Sequence, residues 1–507
     1  MEDQFRYVFW LAVLVMITAA RSITSCSCHD KWKHVLTTNT TGQATFGSKA
    51  NLTTAVLSGS DVRILLTSDS YLTSVQNVKT TGVNVCGQAL MHISKASYDS
   101  FQDKAYWWFI SVCTTGQVQM NRYYVGNHVS NGINKMTYEI KWFIRDFTEK
   151  ALSHNINGAA NFGSVTNVID DVDVGSDVRV VFDDYAATMN SVQQIGDNKD
   201  LVIGQAVWHI SQKTVTPNIE FQGNDYWWFT NWATDGTLAA SRWQIGDHIS
   251  RGESTEAQGL TWFTDNCWML VYQHDAAGNR VQGSLDLLRS AVLQGHRVKV
   301  MFDSISAEPD EVSVQGGHVS SVLISMVVRS PNDIRAFNQS GMWDWRILTT
   351  TGTETTLKVN VGEYVEQGRT TGTKAVSWFI DSRPWVQVLV NSKTGSVLSG
   401  SKAALVSAVH SGARVRYVLS FDPSTSDVAV HEADNLAVSG SEVSAAHIRS
   451  VSLSSFPTEV KFQPKPYWWF TQSTTTGKVD MSRWTVGEHE GRGHTSATAQ
   501  ITWFANY

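Results

Sequence analysis

The chain has 507 residues, 42% of them hydrophobic and 17% charged, with a formal net charge of −6, 20 Trp and only 8 Pro. That is too long for a single core and apolar enough to fill several, since domains usually close at about 100–150 residues. The modest charge is concentrated in no tail, so no basic stripe points to a nucleic-acid partner and no acidic run marks a disordered arm.

Residues 1–22 read as a signal peptide: a polar start ends at Arg6, an apolar run follows from Tyr7 to Ala20, and small residues come next. The run is shorter than the roughly 20 residues that cross a bilayer. The expectation is a secreted, extracellular protein with no membrane span after cleavage. Glu2 and Asp3 offset Arg6, which leaves a retained anchor as the alternative. Cys26, Cys28, Cys86 and Cys113 lie in or just before the first repeat, and in an oxidising compartment they allow two disulfides with three connectivities. Cys26 and Cys28 lack the second pair a zinc site needs, and no metal is expected. Cys267 stands alone, either a buried thiol or a link between chains. Sequons at Asn39, Asn51 and Asn338 fit an extracellular glycoprotein.

From residue 30 onward one unit of about 118 residues recurs four times, over 30–147, 148–266, 267–383 and 384–507. Each copy opens with a turn glycine and then Gly-Ser: Gly42 with Gly47-Ser48, Gly158 with Gly163-Ser164, Gly278 with Gly283-Ser284, and Gly395 with Gly400-Ser401. Gly59, Gly175, Gly295 and Gly412 follow, and then Val62-Arg63, Val178-Arg179, Val298-Lys299 and Val415-Arg416. In the Ser284 to Gly295 interval, Leu285, Leu288 and Val292 sit on one helical face between a Ser N-cap and a left-handed Gly C′. The stretch after it, His296 to Phe302, alternates as a strand does. Tyr106-Trp107-Trp108-Phe109, Tyr226-Trp227-Trp228-Phe229 and Tyr467-Trp468-Trp469-Phe470 begin a hairpin turned by Gly116, Gly236 and Gly477. The third copy has Met342-Trp343-Asp344-Trp345 there, and each copy closes on Trp-Phe, at 142, 262, 378 and 503. This pattern predicts an α+β fold, mostly antiparallel β, with about six or seven strands and one short helix per unit.

A second set recurs in copies one, two and four only. It comprises His92, Trp107, Trp108, Arg122 and His128; His209, Trp227, Trp228, Arg242 and His248; and His447, Trp468, Trp469, Arg483 and His489. In the third copy Leu323, Asp344, Lys358 and Tyr364 stand in their places, while its glycines, cap and Trp-Phe remain. A framework that survives without the set assigns the set to something other than folding. Trp faces stack on sugars and planar ligands, Arg offers a bidentate fork, and His moves protons. Co-packing in the core is the competing reading, because Arg stacked on Trp is also a packing motif and loss of one partner releases the rest. Arg122 and His128 are about 20 Å apart on extended chain and approach one ligand only if Gly126 turns it. No cofactor or catalytic signature is present: there is no His-Glu-x-x-His, Gly-x-Ser-x-Gly or phosphate loop. The expected function is a multivalent binding module for a glycan or a small aromatic or anionic ligand. A secreted enzyme acting, for instance oxidatively, on a small aromatic substrate and a structural matrix component are the alternatives.

Overall fold

The computed structural model describes residues 31–507 except 69, 76, 93–105, 125–129, 148, 184, 196–199, 210–225, 245–249, 328–341, 361–365, 426, 434, 451–466 and 486–490. Among the described residues the protein is mostly antiparallel β, with four short helices and four ten-stranded sheets of one topology, consistent with four tandem copies. In the first copy the strands are β1 Lys33–Thr38, β2 Ala44–Gly47, β3 Asp61–Leu66, β4 Tyr71–Val75, β5 Asn77–Thr81, β6 Asn84–His92, β7 Tyr106–Cys113, β8 Gln117–Tyr124, β9 Ser130–Thr137 and β10 Ile140–Arg145. The other copies repeat this order. The strands outnumber the six or seven expected because short, polar or abruptly bent strands leave little periodicity to read: β2 is four residues long and exposed throughout, and one residue separates β4 from β5.

Each helix forms where its caps place it. Ser48, Ser164, Ser284 and Ser401 accept a backbone N–H from the third helical residue at 3.5, 3.2, 3.3 and 3.3 Å. The helices run over Lys49–Leu57, Val165–Asp173, Leu285–Leu293 and Lys402–His410. Gly59, Gly175, Gly295 and Gly412 then take φ of +83, +87, +78 and +81°. Steric need adds to the conformational one. A Cβ on Gly59, Gly295 or Gly412 would stand 2.6 Å from the ring of Phe263, Phe504 or Phe143, and one on Gly175 would stand 3.1 Å from Phe379. Each Phe belongs to the Trp-Phe of the following copy, and Phe143 of the first copy plugs Gly412 of the fourth.

That last contact closes a ring. Within a copy, β1–β4 and β10 form a front half and β5–β9 a back half. The back half of the first copy joins the front half of the second through Tyr185–Thr188 on β5, with Ala186 opposite Val78. The second joins the third through Ser191–Ile195 on Ile305–Ala307, and the third joins the fourth through Glu311–Gln315 on Val428–Glu432. The fourth copy's Asn435–Ser439 then pairs with β4 of the first, Leu436 opposite Leu72. Every sheet therefore draws half its strands from each of two copies. Each core lies between the front and back halves of one copy and so between two sheets: Leu36, Leu52, Ile64 and Trp142 meet Val85, Ile110, Val112 and Val118 in the first. Neighbours lend residues to one another, as Trp32, Leu65, Leu72 and Phe143 of the first copy do to the core of the fourth.

Cys86 and Cys113 form a disulfide between directly opposed positions of β6 and β7. Cys267 is buried, its thiol donating to Asp265 at 3.2 Å. Residues 1–30, with Cys26 and Cys28, lie outside the described residues, as does Asn338. Among the described residues no helix is long and apolar enough to cross a membrane.

Candidate functional site

The recurrent set occupies the ends of β6, β7 and β8 and their equivalents. His92 is directly opposite Trp107, and Trp107 is opposite Tyr123. Met91 is opposite Trp108, and Trp108 is opposite Arg122. Because neighbouring residues of a strand alternate sides, positions 92, 107 and 123 fall on one face of the sheet and 91, 108 and 122 on the other. The second copy is the same, with His209, Trp227 and Trp243 in one row and Trp208, Trp228 and Arg242 in the next. In the fourth copy the rows are Ser450, Trp468 and Trp484, then Arg449, Trp469 and Arg483. The register divides the set between two faces, brings Trp and Arg together in three copies, and adds Tyr123, Trp243 and Trp484 to the face of the other Trp. His128, His248 and His489 lie outside the described residues, with Tyr364 of the third copy. The strands on either side of 125–129 are antiparallel partners, Tyr123 opposite Ser130.

One equivalence drawn from sequence is corrected. His447 is opposite Thr471, four residues beyond Tyr467, the position that Ala89 occupies in the first copy and Leu323 in the third. The equivalents of His92 are His209, Met326 and Ser450. The shared His-Ile dipeptide slid the comparison by three residues, which on a strand changes the face. His447 is instead buried, its ring 4.8 Å from that of His431, which lies 5.4 Å from Tyr417. It is buried within the fourth copy, so the strand position equivalent to His92 there is Ser450.

Sequence reading passed over a second constellation, at the seams of the ring. The basic residue of each Val-Arg or Val-Lys pair is buried: Arg63, Arg179, Lys299 and Arg416. Three of them donate to the carbonyl of the preceding copy's C′ glycine, Arg63 to Gly412 at 3.1 Å, Lys299 to Gly175 at 2.7 Å and Arg416 to Gly295 at 3.1 Å. Two residues before them stand Asp61, Asp177, Arg297 and Arg414, bonded across the ladder to Arg145, Asp265, Asp381 and Asn506. Opposite or beside the basic residues come Ser74, Thr188, Glu308 and Glu432. Arg383 completes the network, reaching Asp265 at 3.1 Å and Asp381 at 2.7 Å. Trp32, Trp268 and Trp385 lie beneath these cations, with the carbon of Arg63 5.3 Å and that of Arg145 5.7 Å from the Trp32 ring. The available signal was a basic residue recurring on a strand otherwise apolar on both sides.

Charge in these seams is unevenly matched. Asp61 receives Arg145 and Arg179, each at 2.6 Å, with Arg414 near. Burial pushes its carboxyl up, but the three guanidinium charges outweigh this and hold it at about 2. Glu432 is held at about 2 in the same way, against burial, by Arg414 first and then Arg297, Arg416 and Arg63. Arg63 has neutral acceptors, Ser74 and Gly412, and burial first, then the charge of Arg414, brings it down to about 9. Around Asp177 the balance is better: Lys299 lies at 2.5 Å, and Arg297 and Arg383 lie at 3.5 and 3.9 Å. The described residues named in this network comprise eight basic groups and six carboxylates. Among the described residues no three His, Cys, Asp or Glu side chains are grouped to hold a metal ion. No family model, curated protein or solved structure matches this chain.

Proposed function

We propose that this is a secreted, multivalent binding protein that engages a glycan or a small aromatic or anionic ligand at the strand ends of copies one, two and four. The observation that carries the reading is one of register. Trp108 with Arg122, Trp228 with Arg242 and Trp469 with Arg483 are directly opposed pairs at the same place in three copies. The third copy builds the same ladder with Asp344 opposite Lys358. The backbone therefore does not depend on the aromatic–guanidinium pair, which supports a role for it beyond folding. Ring closure supports multivalency, because it sets these positions at equivalent places in sheets of one topology, where avidity multiplies a modest single-site affinity. Secretion is part of the proposal and rests on residues 1–22 and the sequons.

The test is an intrinsic Trp fluorescence titration against panels of glycans and aromatic acids. Saturation near three sites per chain, abolished in a folded Arg122/Arg242/Arg483→Ala variant, is the expected result. A saturable signal unchanged in that variant moves the site elsewhere, and no signal from either panel leaves the set to packing.

A further inference from the structure

Among the buried cations of the seams, four guanidinium groups gather around two carboxylates, Asp61 and Glu432, at the junction of the first, second and fourth copies. Arg145 and Arg179 each place one nitrogen on Asp61, at 2.6 Å, and both are almost wholly buried. The remaining nitrogens Nε and Nη1 of Arg145 and Nε and Nη2 of Arg179 are buried with no hydrogen-bond partner among the described residues. Nη1 of Arg414 is likewise unmatched, its Nε lying 3.2 Å from Glu432. Arg63 adds a fourth charge and, among the described residues, donates to the uncharged oxygens of Ser74 and Gly412. A buried guanidinium edge without an acceptor costs the full desolvation of its N–H groups, and four sharing two carboxylates add mutual repulsion. Such a cluster is unfavourable as it stands and favourable once a multivalent acceptor joins it.

We infer that this junction is a binding site for a small tetrahedral oxyanion of the phosphate or sulfate class, held by Arg63, Arg145, Arg179 and Arg414. The chemistry matches on three counts. A tetrahedral oxyanion presents several acceptor oxygens to guanidinium forks, which recognise it bidentately. Its double charge equals the surplus at the junction, where Arg63, Arg145, Arg179 and Arg414 stand against Asp61 and Glu432. The junction is open to solvent on one side, the side chains of Arg414 and Glu432 being 16% and 28% exposed. The site is specific to this junction. At the next one the position of Arg145 is taken by Asp265, Asp177 has Lys299 as its nearest cation, and Arg383 is matched by Asp265 and Asp381. The anion would tie together strands of three copies, including the pair that closes the ring, and so act as a structural clasp independent of the strand-end sites proposed above.

Inorganic phosphate is the probe, used on the full chain after exhaustive dialysis into phosphate- and sulfate-free buffer at constant ionic strength. Equilibrium dialysis with labelled phosphate should find one tight site per chain, displaced by sulfate, and saturating phosphate should raise the thermal midpoint by about 2–4 °C. Arg145→Asn, which installs the residue the fourth copy carries as Asn506, should lose that binding and the phosphate-dependent rise. If Arg145→Asn does not fold, Arg414→Gln is read in its place. Absence of stoichiometric binding to the wild-type chain overturns the inference, as does a midpoint that follows ionic strength alone or binding that survives in the folded variants.

Discussion

Asp61→Asn offers the sharpest test of the charge arrangement at the ring's seams. The substitution is nearly isosteric, so it removes charge and leaves packing in place. Arg145 and Arg179, 2% and 0% exposed, would lose their shared carboxylate. Breaking a buried pair by removing one partner typically costs about 3–5 kcal/mol. The carboxyl's own titration gives an independent figure. It is held at about 2 against an ordinary 3.8, and at 1.36 kcal/mol per pH unit that gap corresponds to roughly 2 kcal/mol. Because the folded-state value is depressed, this stabilisation is complete above about pH 4 and is lost as pH falls through 2. Urea unfolding of wild type and Asp61→Asn, followed by Trp fluorescence from pH 7 to pH 2, should therefore show a gap of at least about 2 kcal/mol at neutral pH that narrows below pH 4. A variant within about 0.5 kcal/mol of wild type at pH 7, or a gap undiminished at pH 2, would refute the argument.

The seam glycines should rank by the room beside them. Alanine at Gly59, Gly295 or Gly412, where a Cβ meets a Phe ring at 2.6 Å, should destabilise more than at Gly175, where it meets one at 3.1 Å. The left-handed backbone alone costs about 1–2 kcal/mol at all four, and thermal melts of the four variants give the order. Ser284→Ala should cost about 1 kcal/mol by removing the acceptor for the Leu287 N–H, measurable as a shift in urea midpoint. Replacing Cys86 and Cys113 by Ser releases a crosslink across 27 residues and should cost about 3 kcal/mol without altering the far-ultraviolet circular dichroism.

Much of the framework was legible in the sequence because its determinants are local. Ser and Gly eleven residues apart define a helix by its caps, and the glycine turn after Tyr-Trp-Trp-Phe defines a hairpin, so each could be read within one copy. The ring could not. Nothing local distinguishes a Phe that fills its own core from Phe143, which plugs Gly412, more than two hundred and fifty residues away. The short strand β2 escaped because an exposed edge carries no apolar alternation to count. For the candidate site, the third copy's coordinated losses were visible, but strand parity was not. His447 looked equivalent to His92 through a shared dipeptide, and only the ladder shows it three positions away on the opposite face. The buried Arg63, Arg179, Lys299 and Arg416 were seen as a recurring feature and assigned to the frame, because each reaches an acceptor in another copy: Gly412, Asp61, Asp177 and Gly295.

Closure has a consequence for which copy, if any, is terminal. Open repeat arrays need end units with polar outer faces, because a stacking surface is left bare at each end. Here the fourth-to-first seam uses the same parts as the others. Strand Asn435–Ser439 adds to β4 as Tyr185–Thr188 adds to β5, Phe143 plugs Gly412, and Arg63 caps the Gly412 carbonyl. No peptide bond within residues 31–507 crosses this seam. A permutant of residues 31–507 opened after Phe147, with Tyr507 joined to Lys31 by a short Gly-Ser linker, should therefore fold with a thermal midpoint within about 3 °C of the parent. Deleting residues 267–383 should do the opposite. Three copies keep the angle that four need, so one front half and one back half lose their strand partners and expose pairing edges. Size-exclusion chromatography should then give assemblies of several chains or aggregate. A stable, monomeric three-copy chain would mean that the seams bend freely, and that the glycine–phenylalanine plugs do not set the ring's closure.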